Sequence, residues 1–243
     1  MNQEQFKQQL TAWRHHLHAN PESAFEEVKT AQFIAEKLEA MGVEVHRHIG
    51  KTGLVGVVKC GDGKGVIAIR ADIDALQLSE QGTLPYSSNT AGRMHGCGHD
   101  GHTCIALGAA QLLLQRKNFN GTVCFVFQPA EEPGYGAKAM MTDGLIERFR
   151  IEEIYGLHNM PGMKAGTIAT RVGGIMASED NFIIRIKGQG AHAARPHMSK
   201  DPLVIAAEII LALQTIVSRN VDPNVPAVIS CTELHTDGTV SYT

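Results

Sequence analysis

Between residues 92 and 103 the chain reads GRMHGCGHDGHT, three histidines, a cysteine and an aspartate among four glycines. A thiolate, imidazoles and a carboxylate together suit zinc or a similar first-row divalent ion, whereas calcium would call for oxygen donors alone. A spacing of two cannot place Cys97 and His99 on one face of a helix, but a turn through Gly96 and Gly98 can fold both side chains toward one point. The second informative pair is Glu131-Glu132, set between Gln128-Pro129-Ala130 and Pro133-Gly134. Adjacent carboxylates at a strand end point in different directions, so one can bind a metal while its neighbour acts as general base. Asp72 after VIAIRA and His158 after EIYGL complete the candidates.

These residues need elements that bring them together. Phe6, Leu10, Trp13 and Leu17, then Val28, Ala31, Ile34, Leu38 and Met41, recur at helical spacing before Gly42, which predicts two opening amphipathic helices. Short strands are expected at 43–45, 53–59, 66–71, 122–127 and 153–157. Helices are expected at 103–117 and around 136–141. Strands alternating with helices imply a layered α/β domain with the sheet inside. In such a sheet, ligand groups collect in the loops beyond the carboxyl ends of the strands. Asp72, Cys97, His99, Glu131, Glu132 and His158 all fall in such loops or at a helix start. A catalytic metal site, a structural metal site and a metal-free histidine-rich loop all fit these spacings. His95 and His102 read as ligands, as groups supporting the ligands, or as polar loop residues. His15, His16 and His18 read as a solvated helix face.

After Gly173-Gly174 the pattern changes. Asn181–Lys187 alternates like a strand, Asp201-Pro202 forms a helix start, 203–218 reads as a helix and 227–232 as a strand. Domains are therefore placed at 1–176 and 177–243.

Composition bounds the function. The chain has 243 residues, 43% of them hydrophobic, and a net charge of -3 with basic residues scattered, which leaves no electrostatic footprint for nucleic acid. No apolar run approaches the ~20 residues of a membrane span, so none is expected. The N-terminus lacks the signature of a secretory signal. The five cysteines, an odd number without CxxC spacing, fit a reducing compartment, with Cys60, Cys104 and Cys124 as core packing. The expected location is the cytoplasm.

Four motifs in order, MHGCGHDGH at 94–102, QPAEEPGYGAKAM at 128–140, GLHNMPGMKAGTI at 156–168 and GQGAHAARPH at 188–197, carry a family likeness. With LHANPE at 17–22 and TELHTDGT at 232–239, the chain resembles the metal-dependent N-acyl-amino-acid amidohydrolases of the aminoacylase and hippurate hydrolase type. These are related to the auxin-conjugate hydrolases and the dinuclear metallo-carboxypeptidases. The resemblance implies two divalent ions (Zn, Mn, Co or Ni), with Cys97 bridging, His99 and His158 on one ion and Glu132 on the other. It makes Glu131 the general base and acid. It also implies a ferredoxin-like lid, here incomplete, from which His192 steadies the oxyanion, in many relatives across a homodimer. Arg195 reads either as the partner of the substrate carboxylate or as a plain surface residue. Relatives often carry His-x-Asp where this chain has Arg70-Ala71-Asp72, so His99 would take that ligand's place and Asp72 would orient it. The implied reaction is hydrolysis of the amide bond of a small N-acyl amino acid, with no membrane or nucleic-acid partner.

The family's catalytic domain resumes after the lid and supplies a last histidine, whereas this sequence stops at VSYT. The expectation that follows is a truncated product with one ion short of a ligand, an exposed strand edge prone to association and weak or absent activity. A non-catalytic metal-binding or dimerising fragment is the alternative.

Overall fold

Runs rich in β-branched and aromatic residues form a five-stranded mixed sheet: β1 Glu44–Arg47, β2 Leu54–Cys60, β3 Val66–Asp72, β4 Gly121–Gln128 and β5 Glu153–Gly156. The strand order is β1-β2-β4-β3-β5. β1 and β2 are antiparallel, as are β2 and β4, while β3 runs parallel to both β4 and β5. The two parallel pairings matter for function, because they deliver the carboxyl ends of β3, β4 and β5 to a single edge of the sheet. The computed structural model describes residues 2–237. The chain divides into two compact units, Met1–Met163 and Lys164–Thr243.

In the first unit the sheet is covered on both faces, as the layered α/β reading expects. β4 alternates: Val123, Phe125 and Phe127 face one core with Ile34, Leu38 and Leu107, while Cys124 and Val126 face a second with Met140 and Leu145. The first core lies under helices α1 Gln3–Ala19, α2 Val28–Ala40 and α3 His99–Arg116, and the second under α4 Gly136–Thr142 and α5 Leu145–Phe149. Phe125 is completely buried. Phe125→Ala is therefore expected to cost about 3–5 kcal/mol of stability, since the strand between two packed layers cannot collapse into the space. Urea denaturation monitored by circular dichroism measures it.

Two local results differ from the sequence reading. α3 begins at His99, four residues before the expected start, because Gly98 caps it in the left-handed region at φ 91°. His18 is buried rather than solvated. Its Nδ1 lies 2.9 Å from Asp100 Oδ2 and its Nε2 lies 3.3 Å from Glu80 Oε1, while Arg14 Nε donates to Asp100 Oδ2 at 3.1 Å. The polar side of α1 thus fastens onto the first turn of α3, and His15 stacks on Tyr86 with ring centroids 3.7 Å apart. A polar helix face looks solvated in sequence even when charged groups of another element cover it.

In the second unit, helix α6 Pro202–Thr215 starts as expected, with the Asp201 side chain accepting from Leu203 N. It continues as a π-helical turn, Ile216–Asn220. The strands expected at 181–187 and 227–232 do not form. Among the described residues the pairing in this unit is one isolated bridge between Gln189 and Lys200, and alternation without a partner strand makes no ladder. Pro202–Asn220 is long and apolar enough to cross a membrane by length and composition, where none was expected; Glu208 is its one acid. The part of TELHTDGT from residue 238 onward, and VSYT, lie outside the described residues.

Candidate metal centre

The carboxyl ends of β3, β4 and β5 lead into Asp72–Asp74, Glu131–Glu132 and His158, and the amino end of α3 meets them. His99 is the hub. It is fully buried, and its Nδ1 donates to the Asp74 carbonyl at 2.9 Å, which turns Nε2 into the space between the acids. Nε2 lies 3.6 Å from Asp72 Oδ2, 3.8 Å from Glu132 Oε1 and 3.9 Å from Glu131 Oε2. Cys97 Sγ lies 3.3 Å from His158 Nε2. Donor atoms of Cys97, His99 and Glu132 all fall within 4.8 Å of one another, as do those of Asp72, His99, His102 and His158.

The structure therefore brings Cys97, His99, Glu131, Glu132 and His158 together. His192 belongs to the second unit, where its Nδ1 accepts from Ala194 N at 3.1 Å, and Arg195 N donates to the His192 carbonyl.

Three polar atoms at the hub, His99 Nε2, Glu132 Oε1 and Asp74 Oδ1, are buried without a hydrogen-bond partner, and the first two face the same space. A buried acceptor without a partner is costly, and a cation shared between imidazole and carboxylate satisfies both. The charges agree. Burial pushes the Cys97 thiol up to about 12, with Glu132, Glu131 and Asp72 adding to it. Burial likewise raises the Glu132 carboxyl, with His99 opposing. Burial would lower the His99 pKa, but the surrounding Asp74, Asp72 and Glu132 outweigh it and raise it. Around His99 the Cys97 thiol and four carboxylates, only Asp72 of them paired with an arginine, leave negative charge in excess, and the S, N and O donors suit a first-row divalent ion.

The supporting groups are only partly the ones the sequence suggested: His102 is among them, but Asp72 supports His102 rather than His99. Asp72 does not take the outer nitrogen of His99. Its Oδ1 instead lies 2.6 Å from His102 Nδ1, and its Oδ2 accepts from Arg70 Nη1 at 2.7 Å. Burial would raise the Asp72 carboxyl, but the hydrogen bond with His102 and the charges of His99 and Arg70 hold it at about 2. Asp74 orients His99 through its carbonyl, and its Oδ2 accepts from Glu132 N at 3.0 Å. Nothing in IRADID separates these two aspartates, since a spacing of two would put both on one face of a strand; the difference is that Asp72 ends β3 and Asp74 lies just beyond it.

His102 Nε2 accepts from Asn159 N at 3.0 Å, so His102 grips the loop that carries His158. Gly98 packs against the same loop, since a Cβ there would lie 2.2 Å from Asn159 Oδ1. His95 is buried with neither ring nitrogen partnered, and burial lowers its pKa to about 4. It lies outside both donor clusters.

Comparison with known proteins places the chain in a family. The chain is 49% identical to a hippurate hydrolase of Campylobacter jejuni, with 89% of this chain and 56% of the relative aligned. It is 43% identical to an N-acetyl-L-cysteine deacetylase of Bacillus subtilis, over 95% and 55%, and 42% identical to an N-acyl-L-amino acid amidohydrolase of Geobacillus stearothermophilus, over 95% and 62%. It thus spans little more than half the length of these relatives. In structure it superposes on the YXEP protein of Bacillus subtilis, a dinuclear metal binding peptidase, with a TM-score of 0.71 and 37% identity, covering 88% of this chain and 57% of that one. Residues 68–238 match the sequence pattern of the M20/M25/M40 peptidases. With all four sequence motifs inside that span, the chain belongs to peptidase family M20/M25/M40.

Proposed function

We propose that the protein is a metal-dependent amidohydrolase that cleaves N-acyl amino acids, hippurate-like or N-acetylated, to a carboxylic acid and a free amino acid. The observation that carries this reading is the pair of buried, unpartnered atoms, His99 Nε2 and Glu132 Oε1, at the sheet edge where Cys97, Glu131 and His158 also converge. Cys97, His99, Glu132 and His158 would hold two divalent ions, Zn, Mn, Co or Ni. Bound there, such ions supply Lewis acidity for the amide carbonyl and lower the pKa of a water toward neutrality.

The remaining work falls to the side chains. Glu131, whose side chain is 38% exposed against 25% for Glu132, is open to the substrate side. It takes the proton of the attacking water and returns it to the leaving nitrogen, with C–N cleavage releasing the amino acid. His192 donates to the tetrahedral oxyanion, a contribution typically of about 3–4 kcal/mol, and Arg195 pairs with the substrate carboxylate. In this reading residues 177–243 are part of a ferredoxin-like lid through which two copies pair. The substrate is a small molecule in the cytoplasm, with no nucleic-acid or membrane partner.

Elemental analysis of the purified chain, with and without chelator treatment, and an assay of hippurate and N-acetyl-methionine hydrolysis test this together. Two ions per chain and chelator-sensitive turnover are expected. Bound metal without turnover points to a metal-binding or dimerising fragment, and turnover that survives chelation would refute the metal mechanism.

A further inference from the structure

Glu27 is completely buried and has no place in the chemistry above. It sits at the N-cap of α2, where an acid ordinarily accepts from the first free helix amides, yet its side chain makes no such bond. Glu22 does that work from outside the helix, its carboxylate accepting from Lys29 N at 3.2 Å and Thr30 N at 2.8 Å. Glu27 is thereby released to reach elsewhere. Its Oε2 accepts from Thr52 Oγ1 at 2.5 Å and its Oε1 from Ala130 N at 2.9 Å, across 103 residues of sequence.

Ala130 is an unusual residue to hold. It is buried and has φ 46°, in the left-handed region that residues with a Cβ seldom enter. Such a conformation persists only where the surroundings over-determine it. Here both peptide groups are fixed: the N–H by Glu27, and the carbonyl by Gly136 N at 2.9 Å and Tyr135 N at 3.2 Å. The next two residues are Glu131 and Glu132, and Glu132 N is itself held by Asp74. Burying a carboxylate without a countercharge is unfavourable, and burial accordingly raises the Glu27 pKa despite its hydrogen bonds. A hydrophobic residue would fill the same space without that cost, but it would leave the Ala130 amide unpaired.

We propose that Glu27 is a positioning residue, whose buried carboxylate accepts the Ala130 N–H and so sets the turn that aims Glu131 and Glu132 at His99. The proposal rests on the metal-centre reading above. It is tested by titrating the whole 243-residue chain with Co²⁺ and following the cobalt–thiolate charge-transfer absorption that Cys97 would give. Glu27→Ala is expected to weaken cobalt binding by about 10–100-fold, the usual effect of removing a group that orients a ligand. Glu27→Gln keeps an amide oxygen for Ala130 N and is expected to restore affinity to within about threefold of wild type. Thr52→Val removes the other partner of Glu27 without touching the turn, and should lower thermal stability while leaving cobalt affinity unchanged.

If Glu27→Ala binds cobalt like wild type, or if Thr52→Val weakens binding as much as Glu27→Ala, the positioning role is overturned and the metal centre stands. If the wild-type chain gives no cobalt–thiolate band, the metal centre falls and takes this proposal with it. Should Glu27→Ala fail to fold, Glu27→Asp decides. Its acid is one methylene too short to span Thr52 and Ala130, and binding equal to wild type would overturn the proposal.

Discussion

Under the proposed function, Glu131→Gln protein is expected to keep its metal and lose turnover by about 10²–10⁴-fold, whereas Glu132→Gln protein is expected to lose metal first and turnover with it. The two acids are neighbours in sequence, and the separation rests on their surroundings. Glu132 has a buried oxygen with no partner, and its backbone is tethered to Asp74, which is the situation of a ligand fixed in place. Glu131 carries the more exposed side chain, and its carboxylate lies 3.9 Å from His99 Nε2, near the metal centre but free to move a proton. A glutamine at 131 keeps shape and hydrogen bonding but cannot accept the proton. Metal content by elemental analysis and kcat on hippurate read the two effects independently. If Glu131→Gln lost its metal as Glu132→Gln does, the division of labour would be wrong.

The largest stability effect is expected at Gly136. A Cβ there would lie 1.5 Å from the Pro129 carbonyl oxygen and 2.6 Å from its carbon, both backbone atoms that cannot swing aside. The Gly136 amide also donates to the Ala130 carbonyl. Gly136→Ala must therefore displace the turn that carries Glu131 and Glu132, with an expected loss of more than about 4 kcal/mol, in the range reserved for severe backbone or core disruption. Gly101 provides the contrast. It lies inside α3, and an added Cβ there meets nothing within 4 Å, so Gly101→Ala is expected to stabilise by about 0.5–1 kcal/mol through helix propensity. Chemical denaturation of the two variants side by side separates a steric effect from a general cost of replacing glycine in this region. Equal midpoints would show that the Pro129–Gly136 turn relaxes freely.

The sequence made the layered sheet readable because β3 and β4 are nearly continuous apolar runs and the helices carry clear 3.6-residue periods. It also showed Cys97, His99, Glu131, Glu132 and His158, since chemically distinctive side chains stood at the ends of such elements. What stayed hidden were groups whose roles depend on contacts distant in sequence. His18 looked solvated because Asp100 and Glu80, which cover it, lie far along the chain. Asp74 acts through a backbone carbonyl, which no side-chain pattern reveals. Glu27 in FEEVKT reads as an ordinary helix start, and only the folded chain shows that Glu22 caps the helix in its place. In the second unit, alternation at 181–187 suggested a strand, but pairing requires a neighbour that alternation cannot supply.

The long reach of these contacts governs when the centre can form. Cys97 meets His158 across 61 residues, Asp74 meets Glu132 across 58, and Glu27 meets Ala130 across 103. Each such loop must close before its contact contributes anything. On a ribosome the constellation stays unassembled until residue 158 has emerged and β5 has docked. If the centre binds metal as proposed, saturating metal is expected to lengthen the lifetime of the folded chain more than it hastens its formation.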